Sequence, residues 1–316
     1  MGGGLANAGN TCSINSMLQC LGHCVVFREL VLEGAVQFQL LPKREYSLFQ
    51  ELRVLFHQLW KENHSLIPLR FLHAYYESLG DLYQPGEQFD FTEMWLLTLN
   101  TLQEETKYTP PSSPPCSYKN PTFSYLEKLA QDTWTKLTPS PVSPLFHGIQ
   151  INQMKCKHCE KTFHNVELFS CTYLETDTDL NACFAKYYAT ETLQDWTCDH
   201  CKEKEAEKMV RFWKLPPVWV IALKRFQRSK PPVQLTDHFT IQTLQGDRYN
   251  YQLKAIANHY GSQHSGHYTA HCKTDSGWSN FDDTQITHNL NMKQLLEANS
   301  NGYVLFFELQ SLQTVL

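Results

Sequence analysis

The sequence predicts an α+β fold, in which a helical N-terminal part is followed by a strand-rich C-terminal part. Segments with helical periodicity end near residue 103, and short apolar segments rich in β-branched and aromatic residues begin near residue 145. A third observation, two C-x-x-C pairs within the strand-rich part, predicts a metal site there. With 316 residues, the chain is long enough for one large domain or two ordinary ones.

Composition restricts the class of protein. The formal net charge is −5 without a long run of either sign, which argues against a nucleic-acid partner. No apolar stretch is long enough to predict a membrane span, and the N-terminal residues lack the pattern of a secretory signal. Eleven cysteines without such a signal indicate a reducing compartment, so we expect an intracellular protein, cytoplasmic or nuclear, whose paired cysteines bind metal or do chemistry.

The segment GLANAGNTCSINSMLQCL, residues 4–21, predicts a loop that becomes a helix at Cys12. Apolar residues recur at helical spacing after this cysteine, whereas glycine, asparagine and threonine precede it. A helix N-terminus carries about half a positive charge, which favours the thiolate form of a cysteine placed there. Cys12 is therefore a candidate nucleophile, and a buried structural cysteine is the alternative interpretation.

Further helices are predicted before, within and after a proline-rich segment. Their ranges are 46–60, 68–79, 89–102, 123–137 and 292–299. The prolines of TPPSSPPCS and TPSPVSP mark residues 109–144 as linker-like, which predicts a surface insertion. The strands are predicted from the segments WVIALKRF, YQLKAIANHY, HYTAHCK and GYVLFFEL.

Two cysteine pairs predict one structural zinc ion. Cys156 and Cys159 form one C-x-x-C knuckle, and Cys198 and Cys201 form a second one further along the chain. Two knuckles supply four thiolates, the tetrahedral ligand set that zinc prefers, and leave no open position for a reaction. The alternative, a redox dithiol, would need a thioredoxin-like βαβ unit, and neither pair has one.

The segment HYGSQHSGHYTAHC, residues 259–272, contains a second catalytic candidate. His267 and His271 lie on one face of a predicted strand about 13 Å apart, which is too far for both to bind one metal ion. His267 follows a serine–glycine turn, and Asp282 follows the next predicted strand, so a carboxylate can orient the imidazole. Together with Cys12 these residues would form a Cys-His-Asp arrangement for thiol catalysis. Taken singly, His267 has the alternative interpretation of a surface histidine, and Asp282 that of a turn carboxylate.

These segments resemble the motifs of the ubiquitin-specific proteases, a family of papain-like cysteine deubiquitinases. GLANAGNTCSINSMLQCL resembles the cysteine box of the family, and YQLKAIANHYGSQHSGHYTAHCKTDSGWSNFDDTQIT resembles its histidine box. EQFDFTEMW is similar to the acidic helix motif, LPPVWVIALKRF to the strand before the histidine box, and GYVLFFEL to the closing strand. The cysteine pairs match the zinc-bearing fingers, and the resemblance extends over about residues 4–309.

The resemblance implies a hand-like papain-type fold in a single catalytic domain, residues 1–316. A helical thumb would occupy about residues 4–105, and the β fingers and β palm would occupy 145–310. The insertion at 106–144 would separate them. The zinc-bound fingers would cradle the globular part of a protein modifier.

The resemblance also implies a role for each catalytic candidate. Cys12 would be the nucleophile, His267 the general base and Asp282 the residue that orients this base, with Asp283 as the alternative. Asn7 would donate its side-chain amide to the oxyanion, together with the backbone N–H of Cys12. No cofactor would take part in catalysis.

Substrate contacts follow from the same resemblance. Asp90 and Glu93 match carboxylates that grip the basic C-terminal tail of ubiquitin. His259, Tyr268 and the 261–265 loop would border the channel that admits this tail. We expect a monomer that binds ubiquitin or a related modifier and its conjugates, and that binds neither nucleic acid nor membrane.

The expected activity is hydrolysis of the peptide or isopeptide bond after the C-terminal glycine of ubiquitin, through an acyl-enzyme. One alternative is a deconjugase of another ubiquitin-like modifier, and a second is a catalytically idle scaffold that only binds the modifier. A third is a zinc-finger interaction protein in which Cys12 is incidental. A protease for ordinary peptides is disfavoured, because long fingers suit a folded substrate.

Overall fold

Helices fill the first part of the chain and strands most of the second, which confirms the predicted α+β class. The computed structural model describes residues 2–62, 64–80, 85–87, 90–109, 123–225, 231–262, 265–297 and 299–314. The helices are α1 (Cys12–His23), α2 (Val25–Glu33), α3 (Leu48–Trp60), α4 (Leu69–Leu79), α5 (Phe91–Glu105), α6 (Ser124–Trp134), α7 (Ser143–Phe146), α8 (Leu180–Tyr188) and α9 (Met292–Glu297). No helix of this described part is long and apolar enough to cross a bilayer.

The strands form two sheets, a four-stranded sheet that carries the cysteine pairs and an eight-stranded sheet that carries the histidine segment. The strands of the first sheet are β1 (Gly148–Cys156), β2 (Thr162–Phe169), β4 (Glu191–Thr197) and β5 (Lys204–Lys214), in the order β2-β1-β5-β4. The strands of the second are β3 (Thr172–Leu174), β6 (Val218–Leu223), β7 (His238–Gln242), β8 (Arg248–Ser262), β9 (Ser265–Thr274), β10 (Gly277–Asp282), β11 (Gln285–Thr287) and β12 (Gly302–Gln313). We call these sheets the fingers and the palm.

The palm runs in the order β11-β10-β9-β8-β12-β6-β3, and β7 pairs with β8 at a separate edge. All pairs are antiparallel except β3 with β6. Strand β6 is buried along its whole length because both of its faces are covered. Val218, Val220 and Ala222 face the helical thumb, whereas the alternating side chains belong to a second core on the opposite face.

Helix α1 lies between the other thumb helices and the palm strands β8 and β9. The sequence predicts a single apolar face for this helix, yet all of its residues are buried. The polar side chains on the other faces of α1 are therefore also buried against protein, and they need hydrogen-bond partners there. Gln19 donates to the carbonyl of Gly3, and Asn15 donates to the carbonyl of Leu5. Burial of α1 holds its N-terminus, where Cys12 lies, rigidly against the palm.

The proline-rich segment is described only from residue 123 onward, so residues 110–122 lie outside the described part. The predicted helix at 123–137 is present as α6, which packs on strand β2 at the base of the fingers. A small core joins α6 to the fingers through Ala130, Ile149 and Trp213. The described part of the predicted insertion is therefore attached to the fingers.

Candidate active site and zinc centre

Cys12 is the first residue of α1, as predicted, and its side chain is only 6% exposed. The preceding residue, Thr11, occupies the cap position without a side-chain cap bond. The backbone groups of Tyr268 and Ser13 lie near enough to the Cys12 thiol to lower its pKa in part. Because Tyr268 follows His267 directly in β9, the thiol lies beside the strand that carries the candidate base.

The pKa of the Cys12 thiol differs from the prediction. The helix position predicts an easily formed thiolate, but burial raises the pKa of Cys12 above its ordinary value. The negative charge of Asp283 raises this pKa further, and the nearby backbone groups only partly oppose the two effects. Desolvation therefore outweighs the helix end, and the resting thiol stays protonated until a base accepts its proton.

His267 and Asp282 lie on the neighbouring antiparallel strands β9 and β10. The Nε2 atom of His267 is 2.6 Å from Oδ1 of Asp282. This strand–turn–strand arrangement is the one that the sequence predicts. The contact occupies Nε2 and leaves Nδ1 as the ring nitrogen for proton exchange with a thiol. Both side chains are about two-fifths exposed, at 43% and 40%, so substrate and water reach them.

Asp283 makes a different set of contacts from Asp282. Its Oδ2 accepts a hydrogen bond from the Asn7 amide at 3.0 Å, and its Oδ1 accepts one from the Asn15 amide at 2.8 Å. Asp283 has a left-handed backbone with φ 50°, which turns its side chain toward the N-terminal loop. The structure thus gives the imidazole contact to Asp282, and gives Asp283 a role in holding two asparagines.

Asn7 is fixed on both sides of its amide group. Its Oδ1 accepts hydrogen bonds from the backbone N–H groups of Gly9 and Thr11, at 3.0 and 3.2 Å, which forms an Asx-type turn. Its Nδ2 must then point the other way, toward Asp283. Sequence reasoning missed Asn15, because the sequence shows a polar residue near the start of α1 but does not show that it is buried.

Asp90 is held by contacts within the chain. Its Oδ1 accepts from the backbone N–H groups of Thr92 and Glu93, which caps helix α5. Its Oδ2 accepts from the hydroxyl of Tyr303 at 2.7 Å. Glu93 is exposed in the first turn of the same helix. The sequence did not indicate Tyr303, which lies in the closing strand far along the chain.

The side chains of His259 and Tyr268 pack against each other next to His267 of strand β9. Their rings lie 4.6 Å apart on the paired strands β8 and β9. A side chain at Gly266 would collide with the His259 ring and with the carbonyl of Tyr260, so only glycine permits this approach. Burial raises the pKa of Tyr268, whose hydroxyl therefore stays protonated. Part of the predicted 261–265 loop, residues 263 and 264, lies outside the described residues.

The four predicted zinc ligands converge at the end of the fingers. Their sulfur atoms all lie within 4.8 Å of one another. The Sγ atoms of Cys156 and Cys201 are 3.6 Å apart, and those of Cys159 and Cys198 are 3.7 Å apart. Tetrahedral zinc with Zn–S bonds of about 2.3 Å requires sulfurs about 3.8 Å apart, so the four cysteines fit a zinc ion.

The two knuckles have the same backbone geometry. Glu160 donates its N–H to the carbonyl of Cys156, and Lys202 donates to the carbonyl of Cys198. Glu160 and Lys202 both have a left-handed φ, of 57° and 65°. Each knuckle thus turns tightly enough to aim two sulfurs at one point. Among the described residues, His271 lies outside this four-cysteine cluster.

Comparisons with known proteins agree with this geometry. The family described as ubiquitin carboxyl-terminal hydrolase matches residues 3–307. The chain is 29% identical to ubiquitin carboxyl-terminal hydrolase 12 of Salmo salar, over 96% of this chain and 89% of that protein. It is 27% identical to ubiquitin carboxyl-terminal hydrolase 21 of Rattus norvegicus, over 97% of this chain and 61% of that protein.

Solved structures of Ubp8 in the SAGA DUB module share the fold. One, bound to monoubiquitin, has a TM-score of 0.76 at 19% identity, and covers 98% of this chain and 70% of that chain. Another, bound to ubiquitin aldehyde, has a TM-score of 0.73 at 19% identity with the same coverage. They confirm the predicted papain-like fold of the ubiquitin-specific protease type. Because the family match spans nearly the whole chain, this protein belongs to the ubiquitin carboxyl-terminal hydrolase family, and the predicted class of cysteine-type deubiquitinase is confirmed.

Proposed function

We propose that Cys12, His267 and Asp282 hydrolyse the bond after the C-terminal glycine of ubiquitin in its conjugates. The observation that carries this proposal is the 2.6 Å contact of His267 Nε2 with Asp282, because His267 lies on β9, the strand against which helix α1 with Cys12 at its start is packed. A binding module has no need for a buried thiol, an oriented imidazole and a fixed amide in one place.

The first step transfers the proton of Cys12 to Nδ1 of His267. Asp282 accepts a hydrogen bond from Nε2–H and stabilises the imidazolium that forms. Burial and the charge of Asp283 both disfavour an isolated thiolate. The thiolate–imidazolium pair therefore forms most readily once substrate brings Cys12 and His267 together. The thiolate then attacks the glycine carbonyl carbon and forms a tetrahedral intermediate.

The oxyanion of this intermediate accepts hydrogen bonds from the Asn7 amide and the backbone N–H of Cys12. Each such donor contributes about 3 kcal/mol to the stability of the transition state. The Gly9 and Thr11 contacts orient Asn7 before the substrate arrives. The Asp283 carboxylate polarises the same amide and keeps its N–H groups directed into the site.

Collapse of the intermediate breaks the C–N bond, and the imidazolium of His267 protonates the departing amine. His267 then deprotonates a water molecule, which attacks the thioester carbonyl. When the C–S bond breaks, His267 returns this proton to the sulfur of Cys12. The carboxylate of the modifier is released. All proton transfers run through His267, and the reaction uses no cofactor.

The fingers would contain one structural zinc ion, bound by Cys156, Cys159, Cys198 and Cys201. When bound, it supplies a crosslink between two hairpins and no reaction chemistry. The Ubp8 structures are bound to monoubiquitin and ubiquitin aldehyde, which supports ubiquitin as the modifier here. Asp90, Glu93, His259 and Tyr268 would contact its C-terminal tail.

We further propose an intracellular monomer that binds neither nucleic acid nor membrane. None of the ten cysteines among the described residues is in a disulfide, which supports a reducing compartment. Light scattering on the purified chain measures its mass in solution. A dimer would contradict the proposed monomer.

The test is hydrolysis of C-terminal fluorogenic conjugates of ubiquitin and of other ubiquitin-like modifiers, by wild type and by Cys12→Ala. Release from the ubiquitin conjugate that vanishes in the variant is the expected result. Release from another modifier alone would reassign the substrate. No release from any of them, by zinc-loaded and folded protein, would leave a modifier-binding scaffold.

A further inference from the structure

The carboxylate of Asp90 accepts four hydrogen bonds at the start of helix α5. Its Oδ1 accepts from the backbone N–H of Thr92 at 2.8 Å, from the Thr92 hydroxyl, and from the backbone N–H of Glu93 at 3.3 Å. Its Oδ2 accepts from the hydroxyl of Tyr303 at 2.7 Å. Three of the four donors therefore belong to α5 itself, and Tyr303 is the donor from a distant strand, β12.

These hydrogen bonds are divided unequally between the two carboxylate oxygens of Asp90. A carboxylate offers about four acceptor sites, two on each oxygen. The α5 donors saturate Oδ1, whereas Tyr303 occupies only one site of Oδ2. Oδ2 is therefore the oxygen that has a site left for a further donor. Because Asp90 is partly exposed, this donor can come from outside the chain.

The negative charge of Asp90 also lacks a counter-ion. In the described part of the chain, Asp90 forms no ion pair with a lysine, an arginine or a histidine. Burial and the charge of Asp90 raise the pKa of Tyr303, so the tyrosine hydroxyl stays protonated and continues to donate. The unpaired charge and the open site on Oδ2 both fit a cationic N–H donor, a guanidinium or an ammonium group.

Asp90 lies beside the proposed hydrolytic site. Helix α5 continues from it with Phe91, whose ring centroid is 6.1 Å from that of Tyr268 in the catalytic strand β9. The ring centroid of Tyr303 is 6.3 Å from that of His259 on strand β8. A cation bound by Asp90 would therefore belong to a substrate segment close to the cleaved bond, as the basic tail of ubiquitin is.

We propose that Tyr303 is a positioning residue for substrate binding, whose hydroxyl fixes Asp90 so that Oδ2 accepts one N–H from a cationic side chain of the ubiquitin tail. The identity of this tail rests on the proposed function. The α5 donors hold one oxygen, and the Tyr303 bond fixes the other and hence the plane of the carboxylate, whose χ2 rotation is otherwise soft. Loss of the hydroxyl should weaken binding, because the partner of the cation is no longer preorganised.

Calorimetric titration of ubiquitin into the Cys12→Ala variant measures this binding without turnover. Adding Tyr303→Phe removes one hydroxyl and keeps the ring, and should raise the Kd for ubiquitin about three- to tenfold. Tyr251→Phe is the matched control, because it removes another buried palm hydroxyl, which donates to the carbonyl of Pro216. This control should leave the Kd within about twofold.

Two further titrations test whether Tyr303 acts through Asp90. Asp90→Ser keeps a cap for α5 but has no carboxylate, so Tyr303→Phe should change the Kd less than about twofold in this background. A ubiquitin whose tail arginines are changed to glutamine should also be insensitive to Tyr303→Phe. An undiminished effect of Tyr303→Phe in either titration would overturn the inference, as would an unchanged Kd for unaltered ubiquitin.

Hydrolysis of the ubiquitin conjugate by wild type and by Tyr303→Phe separates this inference from the proposed function. We expect Tyr303→Phe to raise KM and to leave kcat within about twofold, because the reacting groups are unchanged. Hydrolysis with an unchanged KM and Kd would overturn the role of Tyr303 and leave the proposed function intact. Binding that depends on Tyr303 without hydrolysis by wild type would support this role and overturn the proposed function. Absence of ubiquitin binding would overturn the inference.

Discussion

The side-chain amide of Asn7 donates a hydrogen bond to the Asp283 carboxylate at 3.0 Å, across 276 positions of sequence. The proposed oxyanion donor is thus oriented by the carboxylate that follows the proposed catalytic one. In the proposed mechanism, Asp282 acts on the base His267, whereas Asp283 acts on the oxyanion donor Asn7. Mutagenesis can separate the two roles.

Asn7→Ala should lower kcat on the order of 100-fold or more and change KM little, because one transition-state donor is lost. Asp283→Ala should lower kcat less, on the order of tenfold, since Asn7 remains but is poorly oriented. Steady-state hydrolysis of a ubiquitin conjugate measures both. If Asp283 acts through Asn7, the double variant should be no slower than Asn7→Ala. Fully multiplicative losses would assign the two residues independent roles.

Asp282→Asn should retain activity within about tenfold, because an amide oxygen still accepts the Nε2–H of His267. Asp282→Ala should lose on the order of 100-fold or more, because the imidazole loses the hydrogen bond that orients it. The comparison uses kcat/KM at fixed pH. Equal losses for the two variants would mean that negative charge, rather than orientation, is what Asp282 contributes.

The raised pKa of Cys12 predicts how the free thiol reacts. In the absence of substrate, alkylation by iodoacetamide should be slow near neutral pH and should accelerate only above the pH at which ordinary thiols ionise. Asp283→Asn removes a charge that raises this pKa, so its rate profile should shift to lower pH. Mass spectrometry identifies the alkylated residue, with Cys12→Ala as the blank. An Asp283→Asn profile shifted to higher pH contradicts the electrostatic explanation.

Removal of zinc should unfold the fingers before the palm. Cys198→Ser should reduce bound zinc from one ion per chain toward none, and should lower the melting temperature, because four sulfurs share one ion. Cys171→Ala is the matched control, since this buried cysteine is outside the cluster. Metal analysis together with thermal unfolding provides the two readouts. Full zinc occupancy in Cys198→Ser would show that the four-sulfur assignment is wrong.

His23 makes folding sensitive to acid. It is buried against Trp60 and Phe281, and burial lowers its pKa to about 4 from an ordinary value near 6.5. As the pH falls below 6.5, His23 therefore binds a proton in the unfolded chain but stays neutral in the folded chain until the pH approaches 4. The stability due to this group is complete above pH 6.5 and is lost as pH falls toward 4, by up to about 3 kcal/mol.

Urea unfolding at pH 7 and at pH 5 measures this dependence. His23→Gln keeps a donor for the carbonyl of Gln19 but cannot titrate, so it should flatten the change in unfolding free energy between the two pH values. His57→Gln, at an exposed histidine, should leave that change as in wild type. If the unfolding free energy of His23→Gln changes between the two pH values as much as that of wild type, the acid sensitivity comes from other groups.

Local sequence determined those features whose physical cause is local. The period of apolar residues placed most helices, and the turn residues before Cys12 marked the start of α1. The two C-x-x-C knuckles specified a four-sulfur site because each knuckle is a short turn with its own backbone hydrogen bonds. His267 and Asp282 could be paired because one tight turn joins their strands.

Tertiary structure decided what depends on distant segments. The sequence ranked Asp282 above Asp283 but could not show that Asp283 holds Asn7 and Asn15, because those contacts exist only once α1 packs against the palm. The Tyr303 hydroxyl reaches Asp90 across 213 positions in the same way. The raised pKa of Cys12 likewise reflects burial by the surrounding fold, and desolvation is a property of all neighbouring atoms rather than of a motif.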